Sequence, residues 1–453
     1  MTSTIKVNNV QNQCGANIIN ESSNTITIGA SGDTIALASG ASQTGFGRTG
    51  TVDWQTSIKT GDFTAVSGEG YFVNTTSGAV TVTLPASPSV GDIVAVSDYA
   101  GTSGTNQITI ARNGSNIEGG TDNAIILTNR DAKTFVYADA TQGWLPVNSN
   151  DGTSIPSNFL TASGGTISCS GNYRIHTFTG PGTFTVCSVG AVAANNVVSY
   201  FVLAGGGAGG GNHGGGGGAG GFREYKSPVD CYTASPLNGN PGGTAVTVTG
   251  QAYPITVGGG GAQVSGCASG NNGSNSVFST ITAAGGGGGA GQCNCAGNGG
   301  SGGGGTYYGA DPGAPHANGG TGNTPPVTPA QGTNGGTGHP QSSPYASAGG
   351  GGATDAGNPY NTSPNGQGGD GGTTSISASP VTYGGGGGSG ANTYGGSSGP
   401  GGAGGGGAGS TGPGNFTNGT DNRGGGGGGG YNSGPKEGGA GGSGIVIIRY
   451  KYQ

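Results

Sequence analysis

The chain has 453 residues, of which 113 are glycine, 7% are charged and one is methionine. Helix is excluded as the main element, because the Thr, Ser, Asn, Val, Ile and Tyr that remain suit strands and turns, and no long segment repeats apolar residues at helical spacing. A formal net charge of −6, with 13 Lys and Arg scattered singly, leaves no basic stripe for nucleic acid.

Disorder is disfavoured too, since 17 tyrosines and 11 phenylalanines with few charges reverse the usual disordered composition. Met1 to Lys6 lacks the apolar core of a signal peptide, and no run approaches membrane-spanning length. The expectation is an all-β chain of about two to four domains, with no membrane insertion and no exit by the ordinary secretory route.

Residues 1–60 read as an attachment segment or thin shaft. Thr25–Gly29 and Asp33–Ala38 are short alternating strands split by turn signals, each too small to bury its own apolar face. Three chains intertwined about a common axis would bring Ile26, Ile28, Ile35 and Leu37 of each copy together; a loose arm is the alternative. Residues 61–148 read as a more ordinary β module. Strands are expected at 70–73, 79–84, 92–96, 107–110, 124–127 and 133–137, punctuated by Pro85, Pro88, Gly91 and Asn113-Gly114, which points to a sandwich or jelly roll of about six to eight strands. Trp144 is placed as a cap on its core. Residues 149–160 are a linker by composition.

The distal domain, 161–453, opens with Tyr173–Phe178 and Thr183–Val186 flanking Gly180-Pro181-Gly182, a hairpin pattern. Two apolar bookends follow, Val197–Leu203 and Ile445–Tyr450, and between them lie glycine blocks such as Gly205–Gly211, Gly214–Gly221, Gly285–Gly289, Gly384–Gly388 and Gly424–Gly430. Glycine is the costliest residue to order, so these blocks require collective support. Collagen is excluded, because no strict Gly-X-Y repeat is present. Polyglycine-II-type helices packed side by side would satisfy their backbone groups on one another. A block of seven or eight residues would span about 20–25 Å at ~3.1 Å per residue, forcing the interrupting segments out at the ends of a slab. Those segments carry Tyr307, Tyr308, Tyr345, Tyr360, Tyr383, Tyr394, Phe416 and Tyr431 among Asn, Ser, Thr, Gly and Pro. Antibody paratopes use the same palette, tyrosine giving contact area at low entropy cost, so these are the candidate receptor-binding residues; covering the slab edge is the alternative for each.

Other chemistry is sparse. The seven cysteines fit bland thiols, with disulfides formed after release, Cys169 with Cys187 or Cys231 with Cys267, as the alternative; Cys293-Asn294-Cys295 has no second pair at metal spacing. His213 sits between glycine blocks, where it would hydrogen-bond bare backbone, and His316 and His339 with Asp311 lie in Pro-Gly-rich loops that rarely hold metal. No Gly-Lys-Ser/Thr follows a strand, so the glycine runs are not phosphate loops. Glu224, Asp230, Asp311, Asp355, Asp370, Asp421 and Glu437 show no pairing by spacing of the kind glycoside cleavage uses. No cofactor, no metal and no enzymatic activity are expected.

Two resemblances follow. Ser77–Pro88, Asp98–Gly101, Ile110–Ile117 and Ala140–Trp144 resemble, in order, a module recurrent in bacteriophage tail fibres, notably of marine phages, over about residues 60–147. The bookends, Gly205–Gly210, Tyr253–Gly258, Asn275–Phe278 and Gly441–Tyr450 resemble the glycine-rich domain at the tips of many phage fibres, over residues 165–452, similar in design to the polyglycine-rich distal adhesins of T-even-like phages. They imply a homotrimeric virion protein made in the host cytoplasm and acting extracellularly. Its N-terminus would join other tail proteins, and its tip would bind a surface polysaccharide or outer-membrane protein. A head-decorating or spacer fibre and a tailspike-like depolymerase are the rivals.

Overall fold

The computed structural model describes residues 9–11, 17–22, 25–28, 52–147, 159–242, 244–292, 294–307, 317–339, 346–361 and 366–453. Two units divide the chain, Met1–Asp53 and Trp54–Gln453. In the first, β1 (Asn9–Gln11), β2 (Asn17–Ser22) and β3 (Thr25–Ile28) form an antiparallel sheet in that order, with Val10 opposite Ile19 and both exposed. The strand expected at Asp33–Ala38 lies outside the described residues.

The β module comprises β4 (Asp53–Trp54), β5 (Phe63–Thr64), β6 (Glu69–Val73), β7 (Val80–Thr83), β8 (Ile93–Asp98), β9 (Ile108–Ala111), β10 (Ala124–Ile126), β11 (Ala132–Asp139) and β12 (Gly143–Pro146). All six expected strands are present. They form two sheets, β10-β9-β7-β5 and β12-β11-β8-β6-β4. From β4 to β9 the chain alternates between sheets, so β5 and β7, β7 and β9, and β6 and β8 pair in parallel. The later pairs, β8–β11, β11–β12 and β9–β10, are antiparallel, so this is a sandwich of two mixed sheets, whereas a jelly roll is antiparallel throughout. Alternating residues such as Val80, Val82, Ile108 and Ile110 meet Val94, Val96 and Phe135 in one core, and Trp144 lies fully buried within it.

A second sandwich anchors the glycine-rich region. Its strands are β13 (Thr161–Ser163), β14 (Thr166–Ser170), β15 (Tyr173–Phe178), β16 (Gly182–Ser188), β17 (Val197–Leu203), β18 (Phe222–Tyr225), β19 (Val246–Thr247), β20 (Ala252–Thr256), β21 (Ser276–Phe278), β22 (Ile281–Ala283), β23 (Gly372–Thr374), β24 (Val381–Tyr383) and β25 (Ile445–Lys451). One sheet runs β13-β16-β20-β21-β22, the other β14-β15-β25-β17-β18, with β19 on β17; β23 and β24 form a separate hairpin. Among the described residues helix is confined to the 3-10 turn Ala193–Asn196 and the single 3-10 residue Ala317.

The hairpin expected across Gly180-Pro181 does not form. Both edges of β15 are taken, by β14 and β25, and the Gly-Pro turn carries the chain to the opposite sheet, so that Phe178 and Phe184 enter the same core from two sides. The hairpin that does form is β14–β15, turning at Gly171, whose φ of 56° suits glycine.

The bookends pair with each other at the centre of their sheet, Tyr200 opposite Ile448 and Val202 opposite Val446. Val198, Tyr200, Val202, Val446 and Ile448 face the inter-sheet core, while Phe201, Leu203, Ile445 and Ile447 pack in a second cluster with Phe222, Ile376 and Tyr383. Burial on both faces explains the unbroken apolar runs. On the second face Arg449 is held by Asp230 at 3.0 Å, and Ser199 donates to the same carboxylate at 2.8 Å.

Glycine segments leave these strands directly: 204–211 continues β17, 284–291 continues β22 and 384–391 continues β24, while 214–221, 268–275 and 438–444 run into β18, β21 and β25. Their hydrogen bonds repeat every third residue. From 204–211, the N–H groups of Ala204, Gly207 and Gly210 reach Gly221, Gly218 and Gly215; those of Gly205, Ala208 and Gly211 reach Ser274, Asn271 and Ala268; those of Gly206 and Gly209 reach Gly442 and Gly439. Each segment is thus an extended rod whose donors point in three directions, and its carbonyls accept from further rods, as Gly207 accepts from Gly427 and Ala208 from Gly289.

Bare backbone makes the spacing attainable. A Cβ on Gly217 would collide with the Gly207 carbonyl oxygen, whereas one on Gly259 would meet nothing within 4 Å. Gly217→Ala is expected to lower stability by at least ~2 kcal/mol and Gly259→Ala to stay within ~0.5 kcal/mol of the parent, measured by denaturant unfolding.

Candidate functional site

The register of the rods sorts their loops into two ends. At one end the rods join the strands. At the far end the first two rods turn at Asn212-His213, where Gly210 donates to Gly215. Level with this turn lie Ala290, Gly304, Gly390 and Gly430, bonded to Gly215, Gly216 and Gly214, and Lys436 and Ala268, bonded to Asn212 and Gly211. The loops beyond these residues therefore share one face of the domain.

Five of the aromatic candidates fall on that face. Tyr307 follows the rod ending near Gly305, Tyr394 the rod ending at Ala391, and Tyr431 the rod ending at Gly430; Tyr360 sits in the loop before Gly366, and Phe416 precedes Thr417, which accepts from Gly428. Tyr394 is 62% exposed, Tyr360, Phe416 and Tyr431 are half-buried, and Tyr307 is buried. Tyr308 and Tyr345 lie outside the described residues. Tyr383 requires correction: it ends β24 at the strand end of the rods, buried against Phe201 with the Arg423 guanidinium over its ring. The apolar alternation of its hairpin turns it into the core.

The face is fastened by polar contacts. Asn392 accepts from the backbone of Tyr394 and Gly396, and Asn432 bridges to Thr393 by two hydrogen bonds of 3.1 and 3.0 Å, tying two loops together. Gln292 donates to the Tyr307 hydroxyl at 3.0 Å and accepts from Asn212. His213 is the buried centre: its ring meets Tyr307 edge-on at 4.5 Å and lies parallel to Tyr394 at 6.4 Å, and its carbonyl accepts from Thr306 and Ser347. It holds the loops through its backbone and ring together. His339 packs edge-on against Tyr360 at 4.4 Å, while its suggested partners His316 and Asp311 lie outside the described residues.

Cys169, Cys187, Cys231 and Cys267 are exposed free thiols, and Cys295 is exposed as well. Neither suggested disulfide forms. Cys169 and Cys187 belong to strands of opposite sheets, and Cys231 lies beside Asp230 at the sandwich while Cys267 lies by Asn212 at the far face.

One association was invisible in the sequence. Asp355 and Asp370 line a single groove on the side of the lattice, with Ala356, Asn358, Gln367, Gly368 and Gly369. Asp370 also accepts from the Ala403 N–H at 2.8 Å. Their sequence separation carries no period, because the lattice and not the local chain sets which rods become neighbours.

Burial, reinforced by the Lys436 ammonium, pushes the His213 imidazole down to about 4. The unfolded chain, at about 6.5, therefore takes up its proton first as pH falls, so this residue's contribution to stability is complete above about pH 6.5 and lost progressively towards about pH 4. His213→Asn, which tolerates the residue's positive φ of 53°, is expected to lose less stability than the parent across that window, read as thermal midpoint against pH.

Compared with known proteins, the chain matches no curated protein, and the model of a family described as a glycine-rich domain matches residues 179–451. That span runs from the turn before β16 through β25, taking in both bookends and the rods between them, and on it the chain belongs to the glycine-rich domain family.

Proposed function

We propose that this chain is a structural virion protein, a bacteriophage tail fibre whose glycine-rich domain is the host-binding adhesin. The observation that carries the reading is the gathering of Tyr307, Tyr360, Tyr394, Phe416 and Tyr431, from loops far apart in sequence, onto the end of the lattice that holds no strand among the described residues. The rods are of polyglycine-II type, which their three-residue hydrogen-bond repeat supports. Loops held on such rods present tyrosine and amide side chains with little entropy left to lose, suited to stacking on sugar rings or packing on an outer-membrane protein.

The fibre is a homotrimer, and its N-terminal segment joins other tail proteins; the exposed pairing of Val10 with Ile19 supports a shaft completed by partner chains. It is made in the host cytoplasm and acts outside the cell on the virion. Several weak tips engaged at once raise the effective affinity without new contacts, and low charge makes adhesion less sensitive to salt. Adhesion needs no bond cleavage.

The full-length protein is expected to bind intact host cells saturably, and the triple variant Tyr360→Ala, Tyr394→Ala, Tyr431→Ala to bind about tenfold or more weakly with an unchanged thermal midpoint. Equal binding by parent and variant would remove this face from recognition. Absence of binding by the parent to a strain that the virus infects would sink the adhesin reading.

A further inference from the structure

In the middle of the lattice the three donor directions of a rod meet other rods. At the rim one direction meets none, and there the chain supplies its own side chains at the same period of three. Ser269, Asn272 and Asn275 accept from the N–H groups of Gly291, Gly288 and Gly285 at 3.2, 2.8 and 2.9 Å. Asn418 and Asp421 do the same for Ala440 and Ser443, each at 3.0 Å. These ladders close the edge as capped strands close a sheet.

The rod 366–371 breaks the pattern. Gly368 and Gly371 donate to Pro400 and Ala403, at 3.0 and 2.8 Å, and Gly369 donates to Gly350 at 2.9 Å. The N–H groups of Gln367 and Asp370, three residues apart and so facing the same third direction, have no acceptor among the described residues. Both residues line the groove of about 370 Å³ that also holds Asp355 and Ala356.

We propose that this groove is an open lattice position that binds an extended, glycine-rich segment of another polypeptide as one further rod. Donors one repeat apart, about 9 Å at ~3.1 Å per residue, call for carbonyls at the same repeat, which an extended peptide supplies. Gly368 and Gly369, whose Cβ positions are already filled by the Gly386 and Asp355 carbonyls of the chain's own rods, present only backbone to the groove. The Asp355 and Asp370 carboxylates favour a Lys or Arg beside the glycine run. A second copy of this chain is a poor donor, because Gly205–Gly211, Gly214–Gly221, Gly285–Gly289, Gly384–Gly388 and Gly424–Gly430 are buried in its own lattice. The mode is the lattice counterpart of strand addition to a sheet edge. It stands independently of the adhesin reading.

The test uses the full-length protein and the acetylated, amidated peptide Lys-Gly-Gly-Gly-Gly-Gly-Gly as probe, with amide hydrogen exchange followed by NMR. Saturable binding is expected to slow exchange at Gln367 and Asp370. Replacing every glycine of the probe by alanine is expected to weaken it at least tenfold. Ala356→Trp, at an exposed position, is expected to weaken binding at least tenfold with the thermal midpoint unchanged, and Gln367→Pro, which deletes a donor the chain does not use, several-fold. No saturable binding up to millimolar peptide, or binding indifferent to Ala356→Trp, would overturn the proposal. Self-association that Ala356→Trp abolishes would overturn it in favour of a second copy. A neutral oligosaccharide that protects the two amides where the peptide does not would overturn it in favour of a glycan.

Discussion

Buried backbone that has no side chains must satisfy every N–H and C=O on other backbone, and the glycine-rich domain depends on that requirement. Ordering one residue costs roughly 1–2 kcal/mol, and a typical hydrogen bond returns a net ~0.5–1.5 kcal/mol, so rods alone come close to cancelling. The surplus has to come from elsewhere. Fully burying a Val, Leu, Ile or Phe side chain is worth ~1.5–3 kcal/mol, and such residues fill the two clusters around β17 and β25. The sandwich therefore supplies the free energy that holds the rods in place.

The same arrangement fixes phase. Because the segment 204–211 continues β17 and 438–444 runs into β25, the register of Leu203 opposite Ile445 determines which glycine faces which at the lattice entrance. A slip of one residue in that pair would rotate the donors of both rods to the wrong neighbours, and it would also move Tyr200 and Ile448 out of the core. Hydrophobic pattern and hydrogen-bond phase are thus locked to each other. Stiffness carried from the sandwich to the far face is what lets loops of Asn, Ser, Thr and Tyr hold fixed positions there, with Asn392 and Asn432 as cross-ties.

Much of this was legible in the sequence, and the failures have physical causes. Alternation marked the strands of the β module, and the bookends announced themselves as apolar strands. Alternation says nothing about which sheet a strand joins, so the parallel winding of β4 to β9 and the crossing at Gly180-Pro181 stayed hidden. The aromatic residues were visible as a set, yet Tyr383 was assigned to the surface because composition around a glycine block looks the same at either end of a rod. Only the register separates Tyr383, which follows Val381 into the core, from Tyr394, which follows Ala391 into solvent.

The period of three is the signal that sequence reading overlooked. Ser269, Asn272 and Asn275 look like ordinary loop composition, but their spacing equals the repeat of the rods they cap, and Asn418 with Asp421 repeats it. In a helix or a strand a polar stripe at period 3.6 or 2 marks the face turned to water. Here a polar residue at period three marks a rim, and its side chain takes the place of a missing rod. A run such as Gly366 to Gly371, where Gln367 and Asp370 keep the spacing but their own N–H groups find no acceptor among the described residues, is then a different kind of edge: one whose backbone is still available to a further extended chain.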